Sequence, residues 1–339
     1  MADFIAVAGA TVFIGVLAVI LGLSLLGLDR FLVARMQARL GPPLRQPFLD
    51  TIKLMAKENV CPENAIPWLF HGAPLVAVGS SITILLYLPL VGLPPLLGDR
   101  GDVVLILYLL AVPSLAMVVG GFASGSPYAT IGSQREIVTM ISYELPLATT
   151  VVAVAWALTQ AGVPQPFSMS SISANPIWGH VGPIGVAGFV LLLGATLVVT
   201  PAELGKVPFD SPEAETELAG GLLVEYSGRN LAMFFISQGV RGVVVAAFVV
   251  GVFFPYNLSP WLGLPPSPVV PIAEKELWPL LVDLAFFFVK IGVVLFFAVS
   301  LIRIAMARFR INQVVSIYWK VIGLAGLIGL LLVTLDAGR

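Results

Sequence analysis

The sequence predicts an all-α fold: a polytopic membrane helical bundle of about eight transmembrane helices, with one further amphipathic helix at the membrane interface. Three observations lead there. Of 339 residues, 58% are hydrophobic and only 11% charged, against about 25% charged in soluble domains. Mean hydropathy is +0.99. The apolar residues fall in runs of the roughly 20 residues that a helix needs to cross hydrocarbon. Such runs are too long and too continuous for barrel strands, and a helix satisfies its own backbone in lipid.

The candidate spans are 4–27, 68–95, 103–124, 138–160, 181–201, 231–254, 278–301 and 319–335. The first has no basic region before it and no evident cleavage site, so it reads as a retained span. The loop that follows contains "QPFLDTIKLMAKENV", residues 46–60. Phe48, Ile52 and Met55 recur there at helical spacing, with Asp50, Lys53 and Lys57 on another face. That pattern predicts a helix lying along the membrane or under a partner. Residues 1–339 form a single integral membrane domain, with 46–60 as this surface helix and 202–230 as an acidic loop.

Basic residues set the orientation. The first loop holds Arg30, Arg35, Arg39, Arg45, Lys53 and Lys57. Alternate loops add Arg135, Lys206 and Arg229, then Arg303, Arg308, Arg310 and Lys320. The other side has only Arg100, Lys275 and Arg339. The asymmetry places both termini outside and the acidic loop inside, and the expected location is a cell inner (cytoplasmic) membrane. The outward stretches "GVPQPFSMSSISANP" and "SPWLGLPPSPVVP" are rich in Pro, Ser and Gly and read as covers.

Several function classes are excluded. A net charge of −1 gives nucleic acid no electrostatic footing. The one cysteine, Cys61, rules out a disulfide framework and a cysteine-ligated iron–sulfur cluster. His71 and His180 lie far apart and read as interfacial rather than as a haem pair. There is no phosphate-cradling glycine loop, no zinc-type spacing and no nucleophile elbow. The chain has no catalytic centre and no metal site of its own.

The polar residues that remain stand out. "KVPFDSPEAETELAGGLLVEYSGRN" carries Asp210, Glu213, Glu215, Glu217 and Glu225, in a chain with 19 acidic residues. Asp210 or Ser211 can cap a helix that opens at Pro212. That leaves Glu215, Glu217 and Glu225 unaccounted for. Two readings stand open: a solvated loop, or a partly buried cluster whose carboxylates raise one another's pKa and pass protons. The apolar, Gly-rich "LAGGLLVEY" suits a segment folded back into the interior. Glu144 lies six residues into the fourth predicted span, about 9 Å along the helix. An ionised carboxylate there costs about 2.5–3.5 kcal/mol on insertion scales. Glu136 and Arg135 stand just before it. Arg241 falls in the sixth span, and Asp283 and Lys290 in the seventh, two turns apart on one face. These three serve either as structural ion pairs or as part of a relay.

Three segments carry a resemblance: "ARMQARLGPPLRQPFLDTIKLMAKE", "GSQREIVTMISYELPL" and "AELGKVPFDSPEAETELAGGLLVEYSG". They look like the cytoplasmic signatures of the H-type membrane subunits, shared by complex I (NADH–quinone oxidoreductase) and the group 4 membrane-bound [NiFe]-hydrogenases. The resemblance covers most of the chain. It implies a subunit that anchors a hydrophilic electron-transfer arm and couples it to proton or sodium movement. It implies that Glu136, Glu144, Asp210, Glu213, Glu215, Glu217 and Glu225 are the coupling carboxylates. It also implies partners: hydrophilic electron-transfer or hydrogenase subunits, which would carry the iron–sulfur clusters and NiFe centre, and antiporter-like membrane subunits. The basic first loop, with Arg35, Arg39, Arg45, Lys53 and Lys57, would dock the arm. Two departures favour the hydrogenase branch, with ferredoxin, formate or CO as electron source, over the quinone branch. "GPPLRQP" is short, and "ISQGVRG" puts Ser237, Gln238 and Arg241 where the quinone enzymes carry an acid. The competing readings are the H-type subunit of complex I itself, a stand-alone secondary transporter and a purely structural anchor. A transporter would show internal repeats, and none is visible.

Overall fold

The computed structural model describes residues 2–90, 95–264 and 277–337; Lys275 and Arg339, used in the charge count above, lie outside them. Among the described residues, eight helices are long and apolar enough to cross a membrane. In chain order the helices are α1 (Ala2–Met36), α2 (Gln46–Ala56), α3 (Pro67–Tyr87), α4 (Val103–Ala123), α5 (Pro127–Gln160), α6 (Pro183–Glu203), α7 (Gly228–Phe253), α8 (Trp278–Ala305) and α9 (Ile311–Asp336). All except α2 are long enough to span. The protein is a polytopic helical membrane bundle.

Helix α7 is the axis of the bundle. Nearly every residue from Val243 to Phe253 is buried, and α1, α3 and α8 pack around it. Val240, Val244, Phe248 and Phe253 form the centre of the main apolar core. The helices approach closely where small residues meet. A Cβ on Gly22 of α1 would fall 2.5 Å from the Gly239 carbonyl carbon of α7. At the α6–α9 crossing, a Cβ on Gly188 would lie 2.7 Å from the Gly329 carbonyl oxygen.

Exposed tryptophans mark the two ends, as expected of side chains that are apolar at one end and wet at the other. Trp68 (74% exposed), where α3 begins, and Trp319 (50%), two turns into α9, stand toward the end that carries the acidic loop. Trp261 (82%) and Trp278 (65%) stand at the opposite end.

Helix α5 differs from its predicted span. It starts at Pro127 rather than near 138 and runs for 34 residues. At 1.5 Å per residue it exceeds the roughly 30 Å of hydrocarbon. Its first turns are polar in sequence because they face protein: Ser133, Glu136 and Thr139 are all buried. Glu136 therefore sits within a helix and not in a loop, and Glu144 sits near the helix midpoint.

In the first loop, the apolar face of α2 is not turned inward. Pro47 and Thr51 are its buried residues, while Leu49 (48%), Ile52 (65%) and Met55 (47%) are exposed. Arg30 of α1 holds Asp50 at 3.0 Å. Lys53, Lys57, Arg35, Arg39 and Arg45 are all exposed on this end of the bundle. Two helices contain wider π-type turns, Phe296–Leu301 in α8 and Tyr318–Ile322 in α9.

Candidate functional site: a buried ion cluster beneath the acidic loop

The loop between α6 and α7 is not a solvated excursion. It runs as three short turns, Ser211–Glu213, Glu215–Leu218 and Gly221–Leu223. At Gly221 φ is +59°, and a Cβ would fall 1.8 Å from the Pro212 carbonyl oxygen, so only glycine lets the loop fold onto itself there. Leu222 is fully buried. Tyr226 stacks on Phe70 of α3 with centroids 4.2 Å apart, and its hydroxyl donates to the Phe70 carbonyl at 3.1 Å. The apolar residues of "LAGGLLVEY" thus plug the loop into the bundle.

Two arginines fasten its acidic half. Arg308, after α8, holds Asp210 by a bidentate pair at 2.8 and 2.6 Å. Arg135 of α5 reaches Glu217 at 2.5 Å and donates to the Ser211 carbonyl at 3.3 Å. The hydrogen bond from Arg135 holds the exposed Glu217 carboxyl below the usual carboxylate range.

Glu213 lies on the inner side of this loop. Burial pushes its carboxyl up, opposed by the charge of Lys206. Burial pushes the Lys206 ammonium down, opposed by Asp29 and Glu213 beside it. Asp29 of α1 in turn accepts from Ser300 at 2.7 Å and Arg303 at 3.0 Å, both on α8. Asp29, Lys206, Gln238 and Ser300 rim a narrow apolar crevice between α1, α7 and α8, walled by Leu25, Phe296 and Val299.

Deeper in, three charged side chains from three helices meet. Arg241 of α7 is 4% exposed, Glu203 at the end of α6 is 3%, and Glu136 of α5 is 5%. Arg241 Nη2 approaches Glu203 Oε1 at 3.3 Å and also donates to the Glu203 backbone carbonyl. The same nitrogen donates to Ser114 Oγ of α4 at 2.6 Å. A guanidinium only donates, so Ser114 accepts there and keeps its own proton for the Glu136 carboxylate beside it. Tyr143 of α5 turns its buried hydroxyl toward the Glu203 carboxyl, while the Arg241 Nε is buried without a protein partner. Isolated buried charges are costly, and this mutual pairing is what makes them tenable.

The structure brings Glu136, Glu213 and Arg241 into one electrostatic group and places Glu144 further along α5, within electrostatic reach of Glu203. Asp210 and Glu217 serve as anchors for the two arginines. Glu215 is exposed, and Glu225 is half-buried and enters none of these contacts. Asp283 and Lys290 stand apart. Asp283 accepts from the amides of Leu258 and Ser259 at 2.9 and 2.8 Å, and Lys290 donates to the carbonyls of Phe254 and Tyr256 at 3.0 and 2.7 Å. Both hold the turn after α7, at the other end of the bundle. Glu203 was missed by the sequence reading, although a lone acid closing an apolar run in "VVTPAELGK" was a signal. Among the described residues, no group of three or more His, Cys, Asp or Glu could hold a metal ion.

The chain that builds this carboxylate-lined interior matches a known family along nearly its whole length. The model of the NADH dehydrogenase family matches residues 8–334. The chain belongs to the NADH dehydrogenase family. The H-type subunit of the NADH-quinone oxidoreductase of Syntrophotalea carbinolica is 33% identical, with 89% of this chain and 87% of that one covered. Its counterpart from Thermomicrobium roseum is 32% identical, with 89% of each covered. Among solved structures, a chain of the membrane-bound sulfane sulfur reductase, an archaeal respiratory membrane complex, superposes with a TM-score of 0.81 at 28% identity. That match covers 97% of this chain and 99% of the other. This member of the NADH dehydrogenase family is a multi-pass membrane subunit of the kind found in respiratory oxidoreductase complexes.

Proposed function

We propose that the chain is the membrane-anchor and coupling subunit of a respiratory oxidoreductase complex. In this reading, charge changes in a hydrophilic arm act on the acidic loop. The loop passes them through Glu213 to Glu136, Glu203 and Arg241, then past Tyr143 to Glu144, and so into proton or sodium movement. The observation that carries the reading is the continuity between the loop and the buried cluster: Glu213 lies within electrostatic reach of Glu136, which shares the cation of Arg241 with Glu203 and has Ser114, itself bonded to Arg241, beside it. Asp210, Glu215, Glu217 and Glu225 would shape the field at the loop's outer side. The partners would be hydrophilic electron-transfer subunits carrying iron–sulfur clusters and antiporter-like membrane subunits. The exposed Arg35, Arg39, Arg45, Lys53 and Lys57 offer the arm a basic docking surface. The basic end would face the cytoplasm and the termini the outside of an inner membrane.

The finer reading is a quinone-independent, hydrogenase-type complex with a NiFe centre in its arm, fed by ferredoxin, formate or CO. Two features support it. The short 37–45 connection folds flat along α1, with the Leu44 carbonyl so close to Gly27 that a Cβ there would lie 2.3 Å away. The crevice wall also presents the amide of Gln238 in place of an acid. The alternative, a quinone-reducing complex, is favoured by the names of the curated relatives. The purified complex, given a reduced low-potential donor, decides between them. Hydrogen evolution insensitive to quinone-site inhibitors supports the first. Inhibitor-sensitive quinone reduction without hydrogen evolution assigns the chain to the second, and sulfane-sulfur reduction would place it beside its structural neighbour.

A further inference from the structure

We propose that Arg241 is the fixed counter-charge of a two-carboxylate proton site: with Glu136 and Glu203 it forms a trio that cycles between one net negative charge and neutrality by binding one proton. This deepens the coupling role proposed above and rests on it.

The trio is assembled from α5, α6 and α7, and each member is at least nine-tenths buried. A guanidinium keeps its proton at any accessible pH. The cation is therefore permanent, and the two carboxylates are the variable part. With both ionised the site carries one unbalanced negative charge inside the membrane. With one protonated it is neutral. Two protons would leave Arg241 without either of its nearest anions: α4 gives it only Ser114 and Met117, and α5 gives Tyr143. The outer charged neighbours are Glu213 on the loop side and Glu144 on the α5 side. The cycle is thus limited to one proton. It arrives on a carboxylate oxygen of Glu136 or Glu203 and leaves to a neighbouring acceptor, with no redox change.

Two polar atoms beside the carboxylates fit this assignment. The Arg241 Nε–H is buried without a protein partner, and the buried Tyr143 hydroxyl has only the Glu203 carboxyl beside it. Buried polar atoms without partners are uncommon. The hydroxyl can turn its proton to whichever carboxylate is ionised and accept from the acid form. The guanidinium is meanwhile held still by Ser114 and the Glu203 carbonyl, which fixes the cation while the proton moves.

The test is a charge-compensation cycle in the whole complex, reconstituted in vesicles, with coupled turnover and ion uptake measured together and assembly checked by co-purification of the arm. Arg241→Met leaves two acids without a cation. Glu203→Gln leaves one acid permanently matched to Arg241. Each single variant is expected to lower coupled turnover by about tenfold or more, and Arg241→Met/Glu203→Gln, with one acid and no cation, to recover most of that loss, a coupling of the size contacting residues show. Arg241→Lys, which keeps the charge, is expected to keep more turnover than Arg241→Met. A double variant that is assembled but no better than the singles overturns the inference while leaving the coupling role intact. Single variants with normal turnover and ion uptake overturn the coupling role itself. If Arg241→Met fails to assemble, the double variant must assemble, because balancing the charge removes the cause. Its failure to do so also counts against the trio.

Discussion

Arg308 grips Asp210 with two parallel bonds, Nε to Oδ1 at 2.8 Å and Nη2 to Oδ2 at 2.6 Å. The carboxylate side chain is only 12% exposed and the guanidinium 29%. The pair ties the start of the acidic loop to the connection between α8 and α9, just as Arg135 ties its middle to α5. A lysine cannot reproduce the planar fork. Arg308→Lys is expected to loosen the loop by about 1.5–3 kcal/mol, the range for hydrogen bonds to charged groups. Hydrogen exchange of the 210–227 amides in the assembled protein reads this directly. Unchanged exchange would show that the packing of Leu222 and Tyr226 alone seats the loop.

Glu217 should matter far less. Its side chain is 45% exposed, so solvent screens its pair with Arg135, and Glu217→Gln is expected to cost less than about 1 kcal/mol. The sign of its pH dependence follows from its lowered pKa. The pair's contribution is present above the ordinary value of 4.5 and fades as pH falls below it. Thermal melts of wild type and Glu217→Gln between acid and neutral pH should converge at the acid end. A gap that widens on acidification would contradict this.

Glu213 has the opposite sign. Burial raises its pKa above 4.5, so its ionisation opposes loop packing. Stability is fully present below the ordinary value and is lost as pH rises through the raised one. Lys206 restrains that rise. Lys206→Met is therefore expected to move the titration of Glu213 to higher pH. The carboxylic acid C=O infrared band that disappears in Glu213→Gln is the reporter. A band that titrates identically with and without Lys206 would separate the two groups.

Glu144 is half-buried near the middle of α5, beyond Tyr143 and Glu203. Gln matches its size and hydrogen bonding but carries no proton. Glu144→Gln is expected to leave the complex assembled and to slow or uncouple its turnover. Normal ion transport at normal turnover would remove Glu144 from the path.

The α1–α7 crossing sets a steric limit. With the Gly239 carbonyl carbon 2.5 Å from where a Gly22 Cβ would be, Gly22→Val cannot be absorbed by a side-chain rotation. Overpacking of this kind costs about 1–3 kcal/mol or more. Gly9, which has nothing within 4 Å of its Cβ position, should accept alanine without loss. The two melting temperatures in one detergent make the comparison. Equal values would mean that α1 shifts freely on α7.

Hydropathy located the eight spans found among the described residues because burial in lipid rewards long apolar runs whatever the helices do to one another. It failed where protein, not lipid, is the solvent. The first turns of α5 look like loop because Ser133, Arg135, Glu136 and Thr139 are polar, yet their neighbours satisfy them. The site was half legible. Loop carboxylates are visible in composition, and Glu136 and Glu213 stood out, but the partner of Arg241 lies on another helix, 38 positions away. Spacing cannot reveal a contact between helices. For the same reason the shared face of Asp283 and Lys290 left a structural ion pair and a relay both open, while the fold uses both residues to hold backbone at the opposite end.

The order of the trio along the chain has a consequence for biosynthesis. Glu136 and Glu203 are made before Arg241, so α5 and α6 must wait in the bilayer with unmatched acids. A carboxylic acid can enter neutral, whereas an arginine at mid-helix costs about 2.5–3.5 kcal/mol to insert on its own. The acids therefore come first and the cation last. When α7 leaves the translocon, its one buried charge finds a ready acceptor, and the ion pair forms as the central helix slots into the bundle. Until α7 is inserted the acid-lined cleft stays open, and the whole helix, with Arg241 at its middle, closes it.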